Sequence, residues 1–203
     1  MANLKRTRED ILESVFETVH RKGLSKTGLN ELFAVSGTSS GSFYNYFHSK
    51  HELGHALIDF EWSQLQANIL NPALVKSDQP IDQILEIINR LEAKQISQPE
   101  CAGCLFGNFI VDLTKQDESF QEHLKDIFNR WQEIMAQVLY QGRKQLKSEV
   151  NPTLLAEELL IMMEGVMLMG RLCQDIDYIQ RGFDSVRHHL QLSLAQSSSE
   201  ASE

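Results

Sequence analysis

The chain is poor in residues that break helices, since its 203 residues include only four prolines and eleven glycines. Runs of valine, isoleucine and threonine typical of strands are also scarce. These scarcities argue against a strand-rich fold and favour an all-helical one. Because 42% of the residues are hydrophobic, the chain can still bury a core, as one domain or as a small domain joined to a larger one.

Long apolar runs are absent as well. No stretch approaches the roughly 20 apolar residues that cross a bilayer, and the polar start at residues 1–8 has no signal-peptide core behind it. We therefore expect a cytoplasmic protein with no membrane partner. Cys101, Cys104 and Cys173 are too few for a disulfide framework, so thiols are expected in a reducing compartment.

Positive charge is in short supply, because the net charge is −9. Taken alone, this value argues against nucleic-acid binding. The charge is uneven, however: residues 1–53 carry +1 and residues 54–203 carry −10. A slightly basic head on an acidic body is compatible with a protein that touches phosphates at one end only.

Apolar periodicity predicts helices along most of the chain. Ile11, Val15 and Val19 form one stripe of a helix that Thr7 and Asp10 cap and Gly23 ends. Short helices are predicted from Leu29 to Ser36 and from Ser39 or Ser40 to Phe47. A long helix then follows a Ser49–Glu52 capping box and ends near Leu70, before Asn71-Pro72. Five more are predicted at about 80–97, 101–115, 118–147, 152–174 and 178–195.

Two short helices joined by a tight glycine turn, after a longer supporting helix, are the parts of a helix-turn-helix. Gly37 permits the positive φ that swings the second helix across the first. Small residues at the start of that second helix let it approach base edges. Phe43 and Phe47, four residues apart, anchor its other face to the core.

Residues 41–53, GSFYNYFHSKHEL, together with the stretch from Gly23 to Leu32, resemble the signature of the TetR/AcrR family of transcription regulators. The resemblance covers about residues 5–55. It implies an all-α chain of about nine helices, with a DNA-binding domain at 1–53 and an effector-binding and dimerisation domain at 54–195. The low-complexity, serine-rich composition of the last residues predicts a disordered tail at 196–203. Gly28 stands where the family usually places a Ser or Thr cap, so we expect Thr27 to cap the second helix instead.

The resemblance also implies roles for single residues. Base-edge contacts are expected from a polar set that begins in the first short helix, namely Asn30, Ser39, Ser40, Ser42 and Asn45. Phosphate contacts are expected from Tyr44, Tyr46 and Lys50. Charge and position add Lys5, Arg6 and Arg8. Phosphate contacts supply affinity and base-edge contacts supply specificity, so this surface would bind double-stranded operator DNA.

The remainder of the chain is expected to form the homodimer and bind a small-molecule effector. The predicted helix 152–174 is apolar nearly all round, so it must be covered on two sides. A core face and a subunit face, shared with helix 178–195, satisfy that requirement, and two-fold symmetry implies a palindromic operator.

Outside the predicted DNA-binding domain, the Cys101-Ala102-Gly103-Cys104 sequence is the most specific indication of chemical reactivity. It is predicted to open a helix, where the dipole lowers the pKa of a thiol and raises its reactivity. The run from Gly103 to Asn108 also resembles a cysteine-based branch of the family that senses electrophiles or oxidants. Cys104 is then the sensor, with Cys101 and Cys173 as resolving partners. The alternative is that these cysteines only pack.

The sequence leaves two other functions open. A thiol–disulfide oxidoreductase would use Cys101 and Cys104, but the chain shows no βαβ setting for them. A helical ligand carrier would bind no DNA, which leaves the aromatic second helix unexplained. One CxxC is too little for a zinc site, so we expect no metal. The sequence also has no phosphate loop, no His-Glu-x-x-His motif and no convincing pair of carboxylates, so we expect no cofactor and no catalytic residues.

Overall fold

A computed structural model describes residues 6–98 and 100–195 of the chain. Within them the regular secondary structure is helical apart from an isolated bridge between Leu146 and Leu194, which confirms the predicted fold class. No helix in this described part is both long and apolar enough to cross a membrane. The predicted tail at 196–203 and Lys5 lie outside the described residues.

The α-helices of the described part are α1 (Arg8–Lys22), α2 (Leu29–Ser36), α3 (Ser40–Tyr44), α4 (Lys50–Leu65), α5 (Asn71–Lys76), α6 (Pro80–Ser97), α7 (Leu105–Leu113), α8 (Glu118–Gln141), α9 (Pro152–Cys173) and α10 (Ile176–Leu192). They fall into two compact units. The first contains the described residues up to Gln64 and Cys104–Asp126; the second contains Leu65–Gly103 and the described residues from Ile127 onward. A functional boundary at residue 53 stays a prediction, because as a compact body the first unit also includes most of α4, α7 and the start of α8.

The first unit is built on α1 as its sequence dictates. Thr7 and Asp10 form the predicted capping box, with each side chain accepting the other's backbone N–H. The stripe Ile11, Val15 and Val19 is fully buried, and Gly23 ends the helix at φ 87°. Where α4 passes the start of α8, a Cβ on Gly54 would lie 2.6 Å from Leu24 and 2.7 Å from Phe120, so only glycine fits there.

The predicted end of the long helix near Leu70 is wrong. After α4 the chain forms a π-helical segment, Gln66–Leu70, and continues as α5 through Pro72. In this segment the N–H of Asn71 donates to the carbonyl of Gln66, five residues back. The wider turn lets Pro72 enter the first turn of α5, where its missing N–H costs little.

Four other helices also have bounds that differ from prediction. α3 ends at Tyr44 rather than Phe47, since Tyr46 N–H turns back to the Phe43 carbonyl. α7 begins at Leu105 rather than 101, because Gly103 adopts φ 77° and breaks the helix before it. α8 ends at Gln141, just before Gly142 and a short 3₁₀ turn at Arg143–Gln145. α10 begins at Ile176, capped by Asp175, and ends at Leu192.

The second unit is organised by α10, which packs on both α9 and α6. Glycines bring α9 and α10 close together: a Cβ on Gly170 would lie 2.5 Å from Ile179, and one on Gly182 would lie 2.6 Å from Val166. Arg187 of α10 pairs with Glu92 of α6 at 2.6 Å. As predicted, Asn151 caps α9, accepting from Thr153 N and Leu154 N, with Pro152 at the first position.

Candidate nucleic-acid interface

Helices α1 to α3 have the geometry of a helix-turn-helix. Gly37 ends α2 in the left-handed conformation, with φ 63° and ψ 28°, and so turns the chain into α3. Ser39 then caps α3, its hydroxyl oxygen accepting from the N–H of Ser42 at 3.2 Å. Thr27, in contrast, does not cap α2 as predicted: Gly28 occupies the cap position, and the Thr27 hydroxyl donates to the Gly23 carbonyl at 2.8 Å.

The inner face of α3 is fixed by aromatic rings. Phe43 and Phe47 are fully buried, with ring centroids 5.5 Å apart. Phe33 of α2 packs edge-on against Phe43 at 5.1 Å and against Tyr44 at 6.1 Å. This aromatic cluster holds α3 against α2 without using the polar residues on the outer face.

The residues predicted to contact base edges lie on that outer surface. Asn30, Ser39, Ser40 and Asn45 are exposed, and Ser42 is half-buried. At Gly41 an added Cβ would meet no protein atom within 4 Å, so this part of α3 faces open space. The start of α3 is therefore a small-residue surface that a duplex groove can approach closely.

The residues predicted to contact phosphate differ in their exposure and in whether their polar groups already have a hydrogen-bond partner. Tyr44 is 41% exposed. The hydroxyl of Tyr46 donates to the Arg6 carbonyl at 2.7 Å, so its hydrogen is already engaged. The ammonium of Lys50 donates to the Ser25 carbonyl at 3.1 Å, and partial burial lowers the pKa of Lys50 against the opposing effect of Asp112. Arg8 lies over the Phe47 ring at 5.1 Å, with its guanidinium at the surface.

Sequence reasoning missed a link from α7 to the loop that follows α1. Asp112 of α7 accepts the backbone N–H of Ser25 at 2.9 Å and also the Ser25 hydroxyl. The same carboxylate lies against Gly23, where a Cβ would come within 3.0 Å of it. No local pattern could reveal a contact across 87 residues of sequence. Through Ser25, Asp112 and Lys50 belong to one polar cluster at the base of the helix-turn-helix.

The structure places the three cysteines in different settings, and none is in a disulfide. Cys104 is the N-cap residue of α7, half-buried and part of the first unit. Cys101 is buried in the second unit, three residues before that cap, so the prediction that it opens the helix is wrong. Cys173, in the last turn of α9, is exposed.

An exposed apolar stripe runs along α9. Leu154, Ile161 and Leu168 recur every seven residues at 55%, 63% and 53% exposure, and Leu172 follows at 74%. A seven-residue apolar repeat is the spacing of helices that pair lengthwise. The buried face of the same helix carries Leu155, Leu159, Met163 and Met167, so α9 has the two apolar faces expected from its sequence.

Comparison with known proteins gives two matches that together span most of the chain. Residues 11–57 match the family described as bacterial regulatory proteins, tetR family. Residues 80–186 match the family described as tetracyclin repressor-like, C-terminal domain.

Individual relatives are similar over most of their length. An uncharacterised HTH-type transcriptional regulator in the lacX 3′ region of Lactococcus lactis subsp. lactis is 27% identical over 91% of this chain and 93% of its own. The HTH-type transcriptional repressor DhaR of Mycobacterium sp. strain GP1 is 26% identical over 79% of this chain and 80% of its own. The crystal structure of the reduced form of Escherichia coli NemR superposes with a TM-score of 0.80 at 21% identity, covering 94% and 98% of the two chains.

The helix-turn-helix geometry, the two family matches and these similarities over most of the chain agree, and they confirm the resemblance seen in residues 5–55. The chain belongs to the TetR family and is a helix-turn-helix transcriptional regulator.

Proposed function

We propose that this protein is a homodimeric repressor that binds a palindromic operator through α3 and leaves it when a signal reaches the first unit. The observation that carries the proposal is the outer surface of α3, where small polar residues are exposed above a fully buried aromatic anchor. A helix with a rigidly packed aromatic face and small polar residues on its exposed face is suited to insertion into a major groove. The relative DhaR is described as a repressor, which supports the direction of control.

Dimerisation follows from the stripe on α9. An exposed row of leucine and isoleucine spaced by seven residues is costly in water and is covered when two copies pair. Two-fold pairing presents two copies of α3, and a regulator of this type spans half-sites about 34–36 Å apart, one turn of DNA. The two-fold symmetry of the dimer makes the operator palindromic.

The signal that releases DNA is proposed to act on Cys104, with a reversible small-molecule effector as the second candidate. As the N-cap residue of α7, Cys104 sits at the end of the helix where partial positive charge favours a thiolate. Asp112 lies near the other end of the same nine-residue helix and binds Ser25. Alkylation or oxidation of the sulfur would displace α7 and, through Asp112, the loop beneath the helix-turn-helix.

The direct test is titration of the purified protein on the DNA flanking its own gene. We expect a specific shift whose affinity falls steeply with salt, because phosphate contacts release counterions. Addition of an electrophile such as a reactive aldehyde should release the DNA. Binding that does not distinguish this duplex from an unrelated one, at any salt concentration, would contradict the proposal. Catalytic reduction of a model disulfide in place of DNA binding would favour the oxidoreductase alternative.

A further inference from the structure

A histidine cluster lies where α4 meets the start of α8, inside the first unit. The Nδ1 atoms of His55 and His123 are 2.8 Å apart, and the two rings are stacked. His55 also stacks on Phe120, with centroids 4.3 Å apart. His51, one turn before His55 on α4, completes the cluster at 4.6 Å from the His55 ring. Direct side-chain bonds therefore hold α4 to α8 at this point.

The hydrogen-bond partners around the cluster restrict where protons can sit. Nε2 of His123 faces a carboxylate oxygen of Asp59 at 3.0 Å, so His123 must donate there. The Ser119 hydroxyl donates to Asp117 at 2.6 Å. Nε2 of His51 lies 2.9 Å from the same carboxylate and 3.0 Å from the Ser119 oxygen, so its N–H has two acceptors there. With its hydrogen committed, the Ser119 oxygen accepts from Nε2 of His55 at 3.1 Å.

The remaining link is the contact between the two Nδ1 atoms, which needs one hydrogen between them. The pair of rings then carries three hydrogens on its four nitrogens, one more than two neutral imidazoles hold. The observed set of bonds is therefore complete only when the His55–His123 pair binds a single extra proton. With two neutral rings, one of these links lacks a hydrogen.

A second extra proton is incompatible with the arrangement. It would place an N–H against an N–H at 2.8 Å, with two positive rings stacked 5.1 Å apart. Interacting groups of this kind take up protons in separate steps that belong to the pair. The surroundings of His55 act in the same direction: desolvation lowers its pKa, His123 and His51 lower it further, and Asp117 and Asp59 oppose them.

The His55–His123 pair lies close to the helix-turn-helix. His55 lies five residues after Lys50, the residue at which α4 starts immediately beyond the helix-turn-helix. We propose that the His55–His123 pair is a proton-operated clamp that holds α4 to α8 with one shared proton and opens on the second, lowering operator affinity in acid. The regulatory role rests on the operator binding proposed above, whereas the proton count does not.

The clamp itself is tested by NMR titration of the histidine ring resonances in the full-length protein without DNA. We expect the His55 signals to move in two steps in the wild-type protein and in a single step in His123→Asn, whose amide does not titrate in this range. His188→Asn removes an exposed histidine of α10, outside the cluster, and should keep both steps. One-step titration of wild-type His55, unaffected by His123→Asn, would overturn the clamp.

Its effect on DNA is tested by measuring the Kd for the duplex flanking the gene between pH 7.5 and 5.5. Protonation adds positive charge and on that ground alone should tighten binding to phosphates. The clamp predicts the opposite: weakening that approaches about tenfold per pH unit, the limit for one linked proton. His123→Asn should lose this weakening and His188→Asn should keep it, provided that thermal unfolding shows both to be folded.

The possible failures are distinguishable. Equal pH dependence in wild type and His123→Asn, together with a two-step titration, would leave a proton-binding pair and overturn its regulatory role. Absence of specific DNA binding at every pH would instead overturn the proposed function and, with it, regulation by the clamp, while the titration would still decide whether the pair shares a proton.

Discussion

The carboxylate of Asp112 accepts the backbone N–H of Ser25 at 2.9 Å, joining α7 to the loop between α1 and α2. Asp112→Ala leaves this N–H and the Ser25 hydroxyl without their acceptor. We expect urea unfolding to show a loss of about 1 kcal/mol, the low end for such bonds because this one is exposed. Asp78→Ala, an exposed carboxylate in the second unit, is the control.

The same variant separates positioning from charge in DNA binding. Removing a negative charge from a DNA-binding head should by itself strengthen binding. If Asp112 positions the loop between α1 and α2, Asp112→Ala should weaken DNA binding instead. Tighter binding by the variant would show that the contact does not support the DNA-bound form.

Tyr44 and Lys50 are expected to contact phosphate in different ways. Tyr44→Phe removes only the hydroxyl and keeps the ring on Phe33, so DNA affinity should fall by roughly three- to tenfold, the value of one hydrogen bond, without a change in salt dependence. Lys50→Gln should weaken binding and lower the salt slope by about 1. Anisotropy titrations at several salt concentrations distinguish the two. An unchanged slope for Lys50→Gln would mean that Lys50 only supports Ser25.

Charge in the middle of the α9 stripe should separate the subunits. Ile161→Glu places a carboxylate where two copies are expected to meet, and light scattering should show a monomer with weakened DNA binding. Val75→Glu is the matched control, since Val75 of α5 is 84% exposed and lies off the stripe. A dimer in Ile161→Glu that is as stable as wild type would place the interface elsewhere.

Cys104→Ser should bind the duplex like the wild-type protein and fail to release it after treatment with an oxidant or a reactive aldehyde. Cys173→Ser is the natural comparison, because Cys173 is the most accessible thiol of the three and is not at the start of a helix. Release of Cys104→Ser at the wild-type reagent concentration would show that the reagent acts at another residue and would contradict Cys104 as the sensor.

Folding stability should decline in mild acid because of His55. Desolvation, His123 and His51 lower its pKa in the folded protein from the ordinary 6.5, so the unfolded chain binds the second proton of the His55–His123 pair more readily. The stabilisation is complete above pH 6.5 and is lost as the pH falls through the interval between 6.5 and the folded value. Urea midpoints between pH 8 and 5 measure it, and His55→Gln should flatten the profile in that interval. An identical decline in the variant would assign the effect to other groups.

Local signals predicted the head well. The bounds of α2 and the cap of α3 could be predicted from the sequence, because Gly37 and Ser39 act on their immediate neighbours. The end of the long helix could not be predicted, since Asn71-Pro72 is typical of a helix end and only the π-helical turn before it lets the helix continue. Asp112 and the histidine cluster were invisible for another reason: their partners lie 87 and 68 residues away in the sequence.

The first unit is assembled from two separate stretches of chain, with α7 and the beginning of α8 returning to the helix-turn-helix. A fragment ending at residue 64 would lack Asp112, Phe120 and His123. Grafting only this N-terminal segment onto the body of another regulator would therefore create a hybrid with mismatched inner surfaces. Chimeras meant to exchange operator preference should transplant both stretches together, or confine the swap to the outer residues of α3.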